Sequence, residues 1–264
     1  MTKKLTARSI SRHLDRPIGV EVLDVIDSTN TEAKRRVAAG LSTPLLLIAR
    51  TQTAGRGRLG RTFCSPDGAG LYMSLVLHPE MAPENVLTLT SAAAVAVCEA
   101  IESMTALTPK IKWVNDVYLN NKKVCGILTE GVSDPASGKL RSVVVGIGIN
   151  LTPSALPPDV AAIATSIGSE GATVDPNRLA AAICDRLLEF YEDLPRKDWL
   201  DGYRRRSWLD GKSVIWRRAG GNLDGEVLGC GKVIGIGDDG ELLLATEDGT
   251  LSLTGGEVTV RVEE

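Results

Sequence analysis

The feature that most constrains this chain is a glycine- and arginine-rich stretch at residues 52–61, QTAGRGRLGR, set between two apolar runs. The apolar runs, residues 45–48 and 71–77, predict two strands joined by this stretch. Glycine adopts positive φ without penalty, so the backbone can turn its N–H groups towards an anion. Arginine adds planar donors that suit phosphate or carboxylate. The stretch therefore predicts an anion-binding loop, although a solvated basic hairpin loop would have the same composition.

Length and charge narrow the class of protein. A chain of 264 residues fits one large domain, or one domain followed by a small one. The net charge of −3 argues against bulk binding of nucleic acid. No apolar run is long enough to cross a bilayer, and the basic N-terminus is not followed by the apolar core of a signal peptide. We therefore expect no membrane association and a cytoplasmic location.

Cysteine and histidine usage predicts neither a metal centre nor a histidine-based catalytic pair. The two histidines, His13 and His78, are isolated in the sequence. The cysteines are odd in number, scattered and free of a C-x-x-C pair, which is typical of small core residues in a reducing compartment. They stand at positions 64, 98, 125, 184 and 230.

The first part of the chain predicts a short helix, a strand and a second helix. Residues 6–14 could form the short helix, and residues 20–26 alternate as in a strand. Thr29 and Glu32 fit a capping box for a helix over residues 30–39, with Gly40 beyond its C-terminus. Simple capping would explain Ser28 and Thr29, but the free N–H groups at this helix start could also hold a ligand.

The middle of the chain predicts a long helix over residues 84–104, a short strand at 110–113 and a hairpin. The hairpin runs 117–119 and 123–130 around Asn120-Asn121, which is typical of a tight turn. Lys123 opens its second strand, and a lone lysine there is usually a solvated edge charge. Gly146 and Gly148 lie in the next strand, 140–150, and indicate either close approach by a ligand or a packing site.

Beyond this point the composition changes. A helix is predicted after Asp175-Pro176, ending near residue 194, and a short helix at residues 197–206. Then come short alternating runs, with turn signals at Asp239-Gly240 and Asp248-Gly249. Such a run of short antiparallel strands predicts a small β-barrel. The runs are 214–217, 226–234, 241–245, 250–253 and 258–262.

Six motifs in this order resemble the biotin–protein ligase family. They are STN at 28–30, GRGRLGR at 55–61, KWVND at 112–116, KVCGIL at 123–128, GIGIN at 146–150 and GGE at 255–257. The resemblance covers residues 20–264 and implies an α+β fold: a mixed β-sheet catalytic domain with packed helices, followed by an SH3-like barrel. It divides the chain into an N-terminal extension at 1–19, a biotin- and ATP-binding domain at 20–209 and the barrel at 210–264.

The resemblance implies a two-step reaction. Biotin and MgATP give biotinyl-5′-AMP and pyrophosphate, and a lysine of a carboxylase carrier protein or carrier domain then attacks the mixed anhydride. In the first step one anion attacks another, so the site needs fixed cations and N–H donors. A general base is not needed, because the biotin carboxylate is already ionised. ATP, Mg²⁺ and biotin are therefore the expected ligands, with Mg²⁺ carried by ATP and no metal site of protein ligands.

Residue roles follow from the same resemblance. The residues expected to act in catalysis are Lys123, Arg58, Arg56 and Asp116. Those expected to contact biotin are Ser28, Thr29, Asn30, Gln52, Gly55, Arg56, Gly57, Arg58, Lys123, Gly126, Gly146 and Gly148. Those expected on the nucleotide side are Arg58, Arg61, Phe63, Lys112, Asn115, Asp116 and Asn150, with Phe63 placed to cover the ligand.

The sequence departs from the family at several points. Val114 stands where most members have proline, which frees the backbone there, and Phe63 stands where many have tryptophan. Residues 1–20 are too few for the winged helix of the bifunctional members, so we expect no DNA binding. A homodimer is compatible with the family. Two alternatives stay open, a lipoate–protein ligase of the same fold and a non-enzymatic biotin sensor.

Overall fold

The computed structural model of the chain describes residues 4–79, 86–134, 137–153, 158–218, 225–255 and 258–262. Its first part runs in the order α1 (Ala7–Ser11), β1 (Gly19–Ile26), α2 (Thr29–Ala38), β2 (Leu45–Gln52), β3 (Gly70–Leu77), α3 (Val86–Met104), β4 (Lys110–Lys112), β5 (Asp116–Leu119), β6 (Lys122–Ser133), β7 (Leu140–Asn150), α4 (Pro158–Ala161), α5 (Pro176–Glu192) and α6 (Leu200–Arg205). The strands β8 (Ser213–Arg218), β9 (Val227–Ile236), β10 (Leu242–Thr246), β11 (Gly249–Leu253) and β12 (Val258–Val262) follow.

The first part is built on a seven-stranded mixed sheet in the order β1-β2-β3-β7-β6-β5-β4. Strands β1 and β2 pair in parallel, and the other neighbours pair antiparallel. The hairpin between β5 and β6 turns at Asn120 and Asn121, whose φ values of 45° and 65° suit a type I′ turn. The predicted α+β class, mixed sheet and Asn-Asn hairpin are thus confirmed.

Helices cover the two faces of this sheet unequally. Helices α3, α5 and α6 belong to the large hydrophobic core, and residues 92–98 of α3 are completely buried. Helix α2 packs on the other face, where Ala33 and Val37 meet Leu47, Val76 and Val144 in a second, small cluster. Because α2 covers only part of that face, the neighbouring glycine-bearing stretches of β6 and β7 are left for the loop that follows β2.

Helix α2 begins one residue earlier than the sequence predicts, and the capping-box prediction is wrong. Ser28 is the N-cap residue, without a capping bond from its side chain, and Thr29 is the first helical residue. Glu32 instead pairs with Arg35 and Arg36 along the helix. The end of the helix is as predicted, since Gly40 follows the C-cap residue with φ of 103°.

The start of the chain packs against the sheet and α5. Leu5 and Ile10 are buried in the large core. The backbone N–H of Thr6 donates to Asn177 on α5, and Arg50 on β2 donates to the carbonyl of Leu5. Helix α5 starts as predicted, with the Asp175 carboxylate accepting from the N–H of Asn177. The described part of the N-terminal extension is therefore integrated with the first part of the structure.

The last part of the chain forms a five-stranded antiparallel sheet in the order β11-β10-β9-β8-β12. Its two tight turns lie where the sequence predicts them, with Gly240 and Gly249 at φ of 82° and 115°. The turn after β9 docks on the first part: Trp113 Nε1 donates to Gly240 O, and Lys197 pairs with Asp239. Residues 256 and 257 of the GGE motif lie outside the described residues.

Two further sequence expectations can be compared with the structure. Cys98, Cys125 and Cys184 are buried as predicted and Cys64 is half-buried, but Cys230 is exposed because it lies on the outward side of β9. The peptide bond between Trp113 and Val114 is cis, although Val114 replaces proline. The carbonyl of Val114 is fixed by a hydrogen bond from the hydroxyl of Tyr203.

Candidate active site

An open cleft, about 440 Å³ when the solvent at its mouth is included, lies on the α2 face of the sheet, at the N-terminus of α2 and beneath the loop after β2. It brings together most of the residues that the sequence predicts for biotin binding. Its lining consists of Ser28, Thr29, Asn30, Gln52, Arg56, Gly57, Arg58, Phe63, Met73, Asn115, Lys123, Gly126, Ile127, Leu128, Gly146, Ile147 and Gly148. The predicted site residues Gly55, Arg61, Lys112, Asp116 and Asn150 lie outside this lining.

At one end of the cleft, Gln52 ties the start of α2 to the loop. Its Oε1 accepts from the backbone N–H of Thr29 at 2.8 Å and from the Thr29 hydroxyl at 3.2 Å. Its Nε2 donates to the hydroxyl of Ser65 at 2.8 Å. Ser28 and Thr29 are almost completely buried. This corner offers hydroxyl, amide and backbone groups at a helix N-terminus, which suit a small polar ligand head.

Asn30 forms the support beneath this corner. Its Nδ2 donates to the carbonyl of Leu128 at 3.1 Å and to the carboxylate of Glu130 at 2.9 Å, and its Oδ1 accepts from the Ser74 hydroxyl at 2.7 Å. A Cβ at Gly146 would lie 2.1 Å from Asn30 Oδ1. Glycine at position 146 is therefore required by the side chain of Asn30, which explains one of the two glycines predicted to allow close approach.

The glycine- and arginine-rich loop is a tight hairpin closed by its own backbone. The N–H of Phe63 donates to Gly55 O at 2.9 Å, and the N–H of Gly57 donates to Arg61 O at 2.7 Å. A Cβ on Gly55 would lie 2.3 Å from the carbonyl of Phe63, so glycine is needed at this crossing. The hairpin geometry places the side chains of Arg56 and Arg58 at the cleft.

The two loop arginines contact opposite sides of the cleft. Arg58 donates to Asn115 Oδ1 at 3.0 Å, while Arg56 lies 3.2 Å from a carboxylate oxygen of Glu130. Burial lowers the pKa of Arg58, although the nearby charge of Asp116 opposes that effect. Among the described residues Arg58 forms no ion pair, so a partly buried guanidinium faces the cleft with only a neutral amide as partner. Such a group favours an anionic ligand.

The ring of Phe63 lies on a smooth surface made by Gly126 and Gly148, which face each other on β6 and β7. A Cβ on Gly148 would come within 2.6 Å of the ring, and one on Gly126 within 3.4 Å. The second glycine of β7 is thus explained by contact with Phe63. The ring lines the cleft.

Lys123 and Asp116 form an ion pair at the far end of the cleft, where Nζ and Oδ1 are 2.6 Å apart. The backbone of Lys123 is fixed on both sides, since its N–H donates to Ile163 O and its carbonyl accepts from the N–H of Thr165. Neighbouring Cys125 is buried within the strand, and burial raises the pKa of its thiol. Lys123 therefore lines the cleft, whereas the thiol of Cys125 lies in the core.

Lys112, Asn150 and Arg61 lie apart from the cleft. The ammonium of Lys112 lies 5.5 Å and 5.6 Å from the ring centroids of Tyr118 and Trp208, and burial lowers its pKa against the opposing charge of Asp116. Asn150 is buried and donates to the carbonyl of Thr165 at 2.9 Å. Arg61 is exposed. The sequence predicts these three residues on the nucleotide side, and in the structure they lie at the border of the site.

Glu130 is the principal residue that sequence reasoning missed. Its side chain is 19% exposed and accepts from Lys34 Nζ at 2.8 Å as well as from Asn30 and Arg56. Burial alone would raise its pKa, but hydrogen bonds from Lys34 and Asn30 lower it below the usual range. The one indication in the sequence is that Glu130 stands two residues after Leu128. Side chains two residues apart on a strand lie on the same face, so Glu130 shares a face of β6 with Leu128.

The described residues contain no cluster of three or more histidine, cysteine or acidic side chains that could hold a metal ion. No helix among them has the length and apolar character needed to cross a membrane. The cleft can therefore bind a ligand that is polar at one end and anionic at the other, between the α2 corner and the cations Arg58 and Lys123.

Comparison with known proteins agrees with this geometry. Residues 22–150 match the biotin/lipoate A/B protein ligase family. The bifunctional ligase/repressor BirA of Bacillus subtilis is 34% identical over 241 residues, covering 89% of this chain and 72% of that protein. The biotin–[acetyl-CoA-carboxylase] ligase of Paracoccus denitrificans is 34% identical over 248 residues, covering 88% of this chain and 96% of the relative.

Among solved structures, the biotin protein ligase from Aquifex aeolicus in complex with biotin and ATP superposes with a TM-score of 0.77 at 30% identity. The match covers 93% of this chain and 99% of the other. Similarity over nearly the whole length of relatives at this level of identity is enough to assign the family. The chain belongs to the biotin protein ligase family.

Proposed function

We propose that this chain is an ATP-dependent ligase that forms biotinyl-5′-AMP from biotin and ATP and transfers the biotin to a lysine of a carboxylase carrier protein or carrier domain. The observation that carries the proposal is Arg58, a partly buried guanidinium that faces the cleft without a carboxylate partner among the described residues. It stands opposite the polar corner formed by Thr29 and Gln52. The biotin and ATP complex of the Aquifex aeolicus ligase supports the same pair of substrates.

In the first step a carboxylate oxygen of biotin attacks the α-phosphorus of ATP, and pyrophosphate leaves with the electrons of the broken P–O bond. Both reactants are anions, so Arg58 and Lys123 would offset the negative charge that accumulates. No proton has to be removed, which fits a cleft without histidine. Mg²⁺ enters bound to ATP. Binding both substrates in one cleft supplies much of the remaining acceleration.

The α2 corner would receive the ureido head of biotin. Ser28, Thr29 and Gln52, with backbone groups of Gly55 and Gly57, offer the donors and acceptors that a urea requires. Asn30 lines the cleft, but its amide is engaged by Ser74, Leu128 and Glu130. Its contribution would therefore be to fix the wall of the cleft. The biotin carboxylate would then point towards Lys123 and Arg58, beside the strand surface of Gly126, Gly146 and Gly148 that lines the cleft.

The nucleotide would extend towards Asn115 and Asp116. Phe63 would cover the adenylate, while Arg61, Lys112 and Asn150 would act from the border of the site. In the second step the ε-amine of the carrier lysine loses a proton and attacks the carbonyl carbon of the mixed anhydride, and AMP leaves. The carboxylate of Asp116 is suitably placed to orient that amine, because it already holds the ammonium of Lys123.

Several finer features belong to the proposal. The C-terminal antiparallel sheet would be an SH3-like barrel, with domain boundaries near residues 19 and 209. A cytoplasmic location suits a reaction that consumes ATP. The proposal includes no DNA binding. A homodimer could form through the outer edge of the seven-stranded sheet at β1.

The experiment that tests the proposal is exchange of labelled pyrophosphate into ATP by the purified protein. Biotin should drive the exchange and lipoate should not, and addition of a carrier domain should give an ATP-dependent mass gain on one lysine. Exchange driven only by lipoate would favour a lipoate ligase, which the named relatives do not support. Binding of biotin without exchange would indicate a non-enzymatic sensor.

A further inference from the structure

Glu130 connects three parts of the site that are distant in sequence. It lies on β6, and its carboxylate is held by Asn30 and Lys34 from successive turns of α2. The third contact is Arg56, whose Nη1 lies 3.2 Å and 3.5 Å from the two carboxylate oxygens. A largely buried carboxylate with three donors from two other elements is a fixed point, because moving it would leave several polar groups unpaired.

Arg56 is much more exposed than Glu130, with 44% of its side chain accessible against 19%. The loop that carries it meets the rest of the site through only a few side chains, chiefly Arg58 on Asn115 and the ring of Phe63 on Gly126 and Gly148. Asn115 is a neutral partner. The contact between Arg56 and Glu130 is therefore the one charged link, among the described residues, between the loop hairpin and the wall of the cleft.

We infer that Glu130 is a positioning residue that holds Arg56 and thereby keeps the loop at residues 55–63 closed over the cleft. Arg56 then acts mainly as an anchor of the loop, while Arg58, and Lys123 beside its partner Asp116, meet the anionic ligand. Loss of the carboxylate opens the loop more often. Biotin is then bound less tightly and activated biotin escapes before transfer, whereas the chemistry of adenylation in the closed state is little changed.

This inference rests on the proposed function, so the test needs one readout that does not depend on that function. The matched set is Glu130→Gln, Arg56→Met, their double variant and the control Lys34→Met. Glutamine keeps the acceptor for Asn30 and the shape of the side chain but removes the charge. Lys34→Met removes the other ion pair of Glu130 and leaves Arg56 untouched.

The first readout is amide hydrogen exchange of residues 55–63 without ligand, which requires no activity. Exchange should be faster by roughly tenfold in Glu130→Gln and in Arg56→Met, as expected for loss of a charge-assisted contact. The double variant should be no faster than either single variant, and Lys34→Met should match the wild type. Exchange in the double variant equal to the product of two separate effects would overturn the inference.

The second readout is kinetic. In pyrophosphate exchange, the KM for biotin should rise roughly tenfold in Glu130→Gln while kcat stays within a factor of about two. Release of biotinyl-5′-AMP into solution should increase in parallel. Equal effects of Glu130→Gln and Lys34→Met would show that the carboxylate only supports α2. If the wild type shows no exchange with biotin, the proposed function fails, but the loop measurement still decides the role of Glu130.

Discussion

The indole Nε1 of Trp113 donates a buried hydrogen bond of 3.0 Å to the carbonyl oxygen of Gly240. Gly240 lies in the turn between β9 and β10 of the C-terminal sheet, whereas Trp113 directly precedes the segment that carries Asn115 and Asp116. The same segment is held from α6 by the hydroxyl of Tyr203 on Val114 O. The side chain of Trp113 therefore joins the C-terminal sheet to the wall of the active site.

Replacement of Trp113 by phenylalanine tests this connection. The variant leaves a buried carbonyl without its donor, so we expect a loss of about 1–3 kcal/mol in the free energy of unfolding, measured with urea. The KM for ATP should rise more than the KM for biotin, because the change lies beside Asn115 and Asp116.

Trp199→Phe is the matched control for that variant. Trp199 is also buried and packs against Gly240, but its Nε1 has no hydrogen-bond partner among the described residues. The same loss of ring volume there removes no hydrogen bond, so the KM for ATP should stay close to that of the wild type. An equal rise of the KM for ATP in both variants would show that packing, and not the hydrogen bond, is the cause.

Gly146→Ala should damage the biotin corner. The new Cβ would lie 2.1 Å from Asn30 Oδ1, which cannot move without losing the hydrogen bond from Ser74. We expect destabilisation by about 1–3 kcal/mol and weaker binding of biotin, measured by urea unfolding and by titration calorimetry. Gly19→Ala is a suitable control, since its nearest contact is a flexible leucine methyl group at 3.2 Å. Unchanged biotin affinity in Gly146→Ala would contradict this account of Asn30.

Local sequence signals predicted the parts of the fold that depend on neighbouring residues. Asn120-Asn121 specified its hairpin because both residues tolerate positive φ, and Asp175 specified the start of α5 because its carboxylate accepts from Asn177 two residues later. The glycines of β7 were recognised as sites of close approach. The groups that approach them proved to be the side chains of Asn30 and Phe63.

Contacts between residues that are distant in the chain were not predicted, because no local sequence pattern specifies them. Thr29 has the sequence of an N-cap residue, but Gln52 on the next strand binds both its N–H and its hydroxyl. Glu130 has no local motif, because its partners lie on α2 and on the loop after β2. Such contacts arise only when sheet order and helix placement are known, and neither can be obtained from periodicity alone.

Lys123→Ala should nearly abolish pyrophosphate exchange driven by biotin, because it removes a fixed cation from the point where negative charge accumulates. Removing one such group usually costs about a hundredfold or more in rate. Lys122→Ala, at the adjacent and exposed position, is the control and should keep full activity. Circular dichroism should show both variants folded. Substantial exchange by Lys123→Ala would mean that another cation supports adenylation.

The acid stability of the protein should depend on Glu130. The pKa of its carboxyl is lowered in the folded state, mainly by hydrogen bonds from Lys34 and Asn30 that outweigh burial, from an ordinary value of 4.5. Between the folded and unfolded pKa values the unfolded chain binds more protons, so stability falls as the pH is lowered. Urea unfolding at a series of pH values should show a steeper loss below pH 4.5 in the wild type than in Glu130→Gln.

The loop from Gly55 to Gly70 should become ordered when substrates bind. Its hairpin is closed by its own backbone, and its glycines and few apolar anchors give it low local stability. An adenylate beneath Phe63 would add contacts to Arg58 that hold the loop down. Amide exchange in this segment should therefore slow when biotin and MgATP are added together, and less when either is added alone. Because Asn115 is the one hydrogen-bond partner of the Arg58 side chain within the described part of the chain, Arg58→Met should remove most of this protection while leaving exchange in α5 unchanged. Equal protection in wild type and Arg58→Met would show that the loop closes without help from that guanidinium.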